Sequence, residues 1–273
     1  VEDHPALLLG SILPDLPYHA RFGRQVARHL LRREYLASEW GDVMHTRATG
    51  TLALALLQHA RRAQLPAGEA RQVAALAAGY LCHYALDTVV HPLISQQVAE
   101  LRTTSSLPAQ ALHSDVERLQ SLFYHFDRLG FDIAGTPYPR RIIGELPGAS
   151  LWRPALPRPL WQAWRVALLQ AHGRCPDVAQ TRDWLWGIAA YGWLIASPLG
   201  RATEGLKGDL DQLRRTRYQG PTVDLAGPIE EGIRRTLAVW QAAAELLAAD
   251  RIGEEACRIF LGRVPDVDLT LGR

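Results

Sequence analysis

The sequence predicts an all-α protein, a multi-helix bundle, and three observations carry that expectation. Apolar residues recur at three-to-four spacing over 24–40, 45–63, 67–87, 108–129, 158–172, 181–196 and 226–249. That is the period at which one face of a helix turns toward a core. No segment sustains the apolar–polar alternation with β-branched residues that a half-buried strand requires. Pro- and Gly-rich connectors at 135–157 and 219–228 punctuate the chain between helical stretches.

In chain order, "LLLGSILPDLPYH" is an apolar run in which Asp15 follows Pro14. A carboxylate there sits at the mouth of a turn or caps the next helix. The segment 24–40 reads as one helix, and 45–63 as a second that opens on His45 after "GDVM". The third, 67–87, leads into "GYLCHYALDTVVHP" at 79–92. Pro92 lacks an N–H and disfavours helical geometry at the residue before it, so this helix is expected to end or kink at His91. Helix 108–129 closes the first half, and 158–172, 181–196 and 226–249 build the second. The longest apolar stretch, "WLWGIAAYGWLIASP" at 184–198, is shorter than the ~20 residues of a membrane span. It reads as core, and no transmembrane segment is expected.

These elements divide the chain into a helical core over 1–134, the connector over 135–157 and a helical half over 158–273 packed on that core. Nine of the ten histidines precede residue 130, whereas seven of the eight tryptophans follow it. The chemistry is therefore expected in the first half. Trp152, Trp161, Trp164, Trp184, Trp186, Trp193 and Trp240 are expected to fill core, with an apolar substrate pocket as the other reading.

With 48% hydrophobic and 21% charged residues and a net charge of +2, the chain reads as globular. No basic track interleaved with aromatics marks a dedicated nucleic-acid binder. Cys82, Cys175 and Cys257 are odd in number and widely spaced, which argues against both a disulfide framework and a thiolate metal site. They leave the location undetermined, with a reducing, cytoplasmic setting as the default expectation. The start at Val1 fits a processed N-terminus, which leaves a secreted or periplasmic location open.

The polar residues of "GYLCHYALDTVVHP" are the first chemical signal. His83, Asp87 and His91 are four residues apart each. Four residues advance a helix face by about 40°, so the three fan over about 80° of one side while climbing about 12 Å. His83 and Asp87 can share one ion, and His91 would serve a second. A packed helix with three internally bonded polar residues is the alternative, but burying two imidazoles and a carboxylate without strong partners is costly. "ALHSDVERL" repeats the pattern, with His113 and Glu117 on one helical face. Together these are nitrogen and carboxylate ligands of the kind zinc accepts. Other divalent ions accept them too. The lack of any CxxC pair among the cysteines favours a catalytic or mixed-ligand site over a closed structural one.

"LGSILPD", a histidine opening the next helix, "GYLCHYALDTVVHP" and "HSDVE" occur here in the order found in the zinc-dependent phospholipase C family. The chain resembles that family over roughly residues 6–125. The family shares its superfamily with the single-strand-specific zinc nucleases, all-helical phosphodiesterases with three zinc ions. The resemblance implies that Asp15, His45, His83 and Asp87 bind one zinc and that His91, His113 and Glu117 bind another. Asp87 would bridge to a third, completed from the N-terminus, where His4 is the candidate. Asp15 would also be the catalytic group that orients or deprotonates water. Apart from the resemblance, His19, four residues after Asp15, reads as either a partner behind the ligands or a surface residue, and Arg21 and Arg47 as candidate phosphate contacts or solvated side chains. His91 stands four residues after the aspartate, not six as in the secreted enzymes, a spacing like that of a distinct bacterial branch.

The function implied is a zinc-dependent hydrolase, phospholipase C-like, cleaving a lipid or small-molecule phosphodiester with two or three zinc ions. Two other readings stay open. One is a zinc hydrolase or biosynthetic enzyme acting on a different small molecule, since fold and ligands do not fix the substrate. The other is a metal-stabilised helical scaffold without catalysis, whose Trp-rich half binds a partner.

Overall fold

The computed structural model describes residues 3–31, 36, 38–61, 65–103, 109–131, 133–203 and 225–273. Every regular element among them is helical. In order they are α1 (His4–Ile12), a 3-10 helix (Leu16–His19), α2 (Phe22–Leu30), α3 (Glu39–Thr46), α4 (Thr49–Ala60) and α5 (Ala67–Leu101). Then come α6 (Ala109–Leu129), α7 (Tyr138–Gly144), α8 (Arg158–His172), α9 (Val178–Ile195), α10 (Pro198–Thr203), α11 (Ala226–Ala248) and α12 (Glu254–Arg263).

The 35-residue α5 is the axis on which the others pack: α1, α4, α6, α8 and α11 all contact it. By length and composition it could cross a membrane, but 61% of its apolar window is buried inside the protein. Its closest neighbour is α1. At their crossing the two backbones touch through glycines. A Cβ added to Gly10 would lie 2.0 Å from Leu76 O, and one added to Gly79 would lie 2.0 Å from Leu7 O. No other residue type fits such an approach.

The main hydrophobic core draws on both halves of the chain. Leu9, Leu13, Leu52, Leu56, Leu76, Tyr80 and Leu81 meet Trp164, Leu168, Leu185, Leu246, Phe260 and Leu269 in one cluster. Helix α8 packs on α4, α9 on the 3-10 helix and α7, and α11 on α5. Helix α6 stands apart from this cluster. It is held on α5 by Ile94, Val98, Leu112 and Val116, with a second small cluster of Leu119, Leu122, Phe123 and Ala134.

Several expectations are corrected. The segment 24–40 is not one helix. Helix α2 stops at Leu30, and α3 starts after Ser38, whose hydroxyl accepts from Gly41 N–H at 3.2 Å as an N-cap. His45 accordingly lies in the last turn of α3, and α4 begins at Thr49 after Ala48 turns left-handed (φ 51°). Pro92 does not end α5, which runs on to Leu101. The missing N–H leaves Thr88 O without its helical donor, and Gly272 packs against that carbonyl and the proline ring. The connector carries a helix, α7, that packs on α9. The tryptophans do not all fill core. Trp164 and Trp184 are buried and Trp161 and Trp240 partly so, but Trp152 is 90% exposed and Trp186 and Trp193 face outward. On α9 the inward positions are taken by Trp184, Leu185 and Ile188, which leaves the intervening face to Trp186 and Trp193.

The glycine crossing has a measurable consequence. Gly79→Ala should lower the unfolding free energy by about 1–3 kcal/mol, since the methyl group must push two backbones apart. Chemical denaturation checks this; an unchanged midpoint would mean that the crossing is not tight in solution.

Candidate metal centre

The glycine crossing fixes the first layer of the site. It lays the end of α1 along α5, so that Ser11 O meets His83 Nδ1 at 3.1 Å. The turn after α1 carries Asp15, which opens the 3-10 helix but does not use its side chain as a cap. Asp15 therefore keeps its carboxylate for other partners: Oδ1 is 3.3 Å from His45 Nε2, and Oδ2 is 3.8 Å from His83 Nδ1. His45 is anchored within its own helix, its Nδ1 2.8 Å from Gly41 O. A histidine tied to a carbonyl through Nδ1 presents Nε2 as its free ligand atom. The Nε2 atoms of His45 and His83 face each other at 3.2 Å.

Asp87 is the hub. Its Oδ2 lies 3.0 Å from His83 Nε2, 3.3 Å from His91 Nε2 and 3.5 Å from His45 Nε2. This oxygen is buried, yet no donor makes a well-directed hydrogen bond to it. His91 links onward to α6, where its Nε2 is 3.6 Å from Glu117 Oε1 and its ring stacks on His113 at 5.4 Å. His113 Nε2 is 3.1 Å from the same Glu117 oxygen. Leu112 and Val116, buried on α5, bring these two ligands into place. The ligand atoms of Asp15, His45 and His83, of His45, Asp87 and His91, and of His91, His113 and Glu117 form three groups, each within 4.8 Å.

The electrostatics call for added positive charge. Burial pulls His83 and His91 down, but the Asp87 carboxylate, with Asp15 and Glu117, overrides it and lifts each to about 9. Burial likewise opposes the ionised forms of Asp15 and Asp87, yet the imidazoles around them hold both below the ordinary carboxylate range. A divalent cation competes with protons for these nitrogens. The donor set fits such an ion: nitrogen lone pairs and carboxylate oxygens converge on the buried hub oxygen.

All seven sequence-predicted ligands, Asp15, His45, His83, Asp87, His91, His113 and Glu117, are thus brought together. His4 is not. It pairs with Glu145 at 3.7 Å, is half-exposed, and belongs to none of the three groups, because it starts α1 and Asp15 follows that helix. His19 packs on Tyr191 at 5.3 Å, and burial drives it down to about 4, so it is neutral at pH 7. Arg21 donates its backbone N–H to Asp183 at 2.9 Å, and the exposed Arg47 bears on His172.

Sequence reasoning missed Ser11, Gly41 and Tyr18. The two carbonyls carry no side-chain signal, although Gly41 and Gly79 each stand four residues before a ligand histidine. Tyr18 lies at the mouth, its ring 5.7 Å from His45 and its hydroxyl donating to Asp42 at 3.1 Å. Burial and the Asp42, Asp15 and Glu117 charges raise it, so it stays a phenol.

Asp87→Asn should remove more bound metal than any single histidine substitution, because one oxygen serves three nitrogens; metal analysis of the purified variant decides it, and full retention would refute the hub. The metal-free protein should also show a signed pH dependence. His83 and His91 are raised from 6.5 to about 9, so their stabilisation is complete below about 6.5 and lost as pH rises through about 9. Asp15 and Asp87 act oppositely, stabilising above their ordinary value of 3.8 and less as pH falls below it. Thermal melts with chelator should fall between pH 6.5 and 9.5; a flat profile would contradict the charge assignment.

Comparison with known proteins agrees with this geometry. No curated protein and no solved structure matches the chain. The family model described as zinc dependent phospholipase C matches residues 2–132, a stretch that holds all seven candidate ligands. Over those residues, just under half of its length, the chain is similar to the zinc-dependent phospholipase C family.

Proposed function

We propose that the protein is a zinc-dependent hydrolase that cleaves a phosphodiester in a lipid or small molecule, with two or three zinc ions on the seven residues above. The observation that carries this reading is the contrast between floor and rim. His45, His83 and Asp87 are buried at the floor, whereas Asp15 and Glu117 keep 42% and 41% of their side chains exposed. A structural metal site is closed by protein on all sides, and a catalytic one keeps an open position. Zinc held there would supply Lewis-acid chemistry, neutralising a phosphodiester and making water more acidic.

The protein's own groups have definable parts. Asp15 is ionised at neutral pH and open to solvent, so it orients a water and accepts its proton. Its Oδ1 also faces His45, which couples base and metal ligand in one residue. His19, neutral behind the Asp15 turn, adds no competing positive charge. Tyr18 walls the mouth and excludes water from one side of a bound substrate. The lipid preference follows from the family; the arrangement itself asks only for an anionic ester.

Asp15→Asn should lower kcat by at least about 10²-fold with KM little changed. Zinc content must be measured on the same sample, since Asp15 can also bind metal. The assay compares a phosphocholine ester, an aryl phosphodiester and single-stranded DNA. Turnover of none of these by fully metallated protein would end the phosphodiesterase reading and leave hydrolysis of another bond class.

A further inference from the structure

The last ten residues lie outside the family match, yet they run through the scaffold of the site. From Val264 onward the chain is non-helical and bonded on two sides. On one side it meets the link between α3 and α4. Leu269 N–H donates to His45 O at 2.8 Å. The Thr49 hydroxyl donates to Val267 O at 2.9 Å and accepts from Val267 N–H at 2.9 Å. Asp266 accepts from the Thr51 N–H at 2.7 Å and its hydroxyl at 2.8 Å. Gly50 leaves the room for this: a Cβ there would lie 2.0 Å from Val264 O.

On the other side the same segment tracks α5. The Tyr84 hydroxyl donates to Pro265 O at 2.9 Å and the Ser95 hydroxyl to Thr270 O at 3.4 Å. Between them Gly272 rests on Thr88 O and Pro92. Tyr84, Thr88, Pro92 and Ser95 form one helical stripe, and it runs beside the stripe of His83, Asp87 and His91.

We propose that residues 264–272 are a strap that positions the metal centre, holding His45 against the ligands of α5. Helix α3 needs such a tie. It has only eight residues, packs on the 3-10 helix and α4, and is followed by Ala48 in a left-handed conformation at φ 51°. That conformation is unfavourable for a residue with a Cβ, so the turn that orients His45 is not self-supporting. The strap bonds at residues 45, 49 and 51 on both sides of it. Val264 and Leu269 are wholly buried and fix the strap in turn.

The inference rests on the metal-binding reading of the site, and the experiment separates the two. Zinc affinity is measured by chelator competition on the full chain, with circular dichroism of the metal-free protein alongside. Thr49→Val keeps the side-chain shape and removes the hydroxyl that bridges Val267. It should weaken zinc binding about tenfold or more, and Thr49→Ser should restore it. A merely structural role would lower metal-free stability without moving zinc affinity. Should Thr49→Val fail to fold without metal, Asp266→Ala at an exposed position carries the same test. Equal affinity in the folded variants would overturn the strap, as would a Thr49→Ser chain as weak as Thr49→Val. A parent chain that binds no zinc at all would overturn the metal reading itself.

Discussion

The contact of two backbones at Gly10 and Gly79 is the constraint from which the site follows. Side chains on both helices would keep the axes 8–10 Å apart in an ordinary packing. Removing them at the crossing lets Ser11 O reach His83 and lets the Asp15 turn reach His45 and His83. Apolar burial supplies the driving force through Leu9, Leu13, Leu76 and Tyr80, but burial is non-directional. The glycines turn that general attraction into one register. Without them α1 could still be buried, and Asp15 would not arrive within 3.8 Å of two imidazoles.

Much of this was legible in the sequence, and the boundary of legibility has physical causes. Helix period reports burial, so the bundle, the limits of α8 and the ligand faces of α5 and α6 could be read from spacing alone. Motif order carried the ligand set, including Asp15, which has no local pattern of its own. Missed features depend on partners distant in sequence. Whether Pro92 ends a helix depends on what packs around the proline ring and Thr88 O, and Gly272, 180 residues on, lies against both. Whether His45 begins or ends a helix depends on the Ser38 cap and on Ala48, whose left-handed conformation no propensity would assign. Trp152, Trp186 and Trp193 were expected inside because tryptophan usually is; which face of α9 is already filled is a tertiary fact.

The site also joins two parts of the fold that hydrophobic packing joins less firmly. The floor belongs to α3 and α5, inside the main core, but His113 and Glu117 ride on α6, held by satellite clusters of a few residues each. His91 is the hinge of this arrangement, 3.3 Å from Asp87 on one side and 3.6 Å from Glu117 on the other. Its Nδ1 is buried without a partner, unlike the anchored Nδ1 atoms of His45 and His83. Its orientation is therefore set by what its Nε2 faces. A cation bound between α5 and α6 would add stability where apolar contacts are thinnest, and that free energy is counted in folding.

Charge decides which substrates such a site can hold. The cluster contains three carboxylates and four imidazoles. With His83 and His91 protonated, as in the metal-free protein at pH 7, three negative charges face two positive ones, and the site stays net negative. A phosphodiester anion is then repelled. With two dications and neutral imidazoles the balance becomes one positive charge, and with three dications it becomes three. On the function proposed above, the same residues would repel an anionic ester without metal and attract it with metal, in a partly buried setting where screening is weak. Metal binding and substrate selection are in this sense one property of the cluster, set by how many carboxylates surround how many neutral nitrogens.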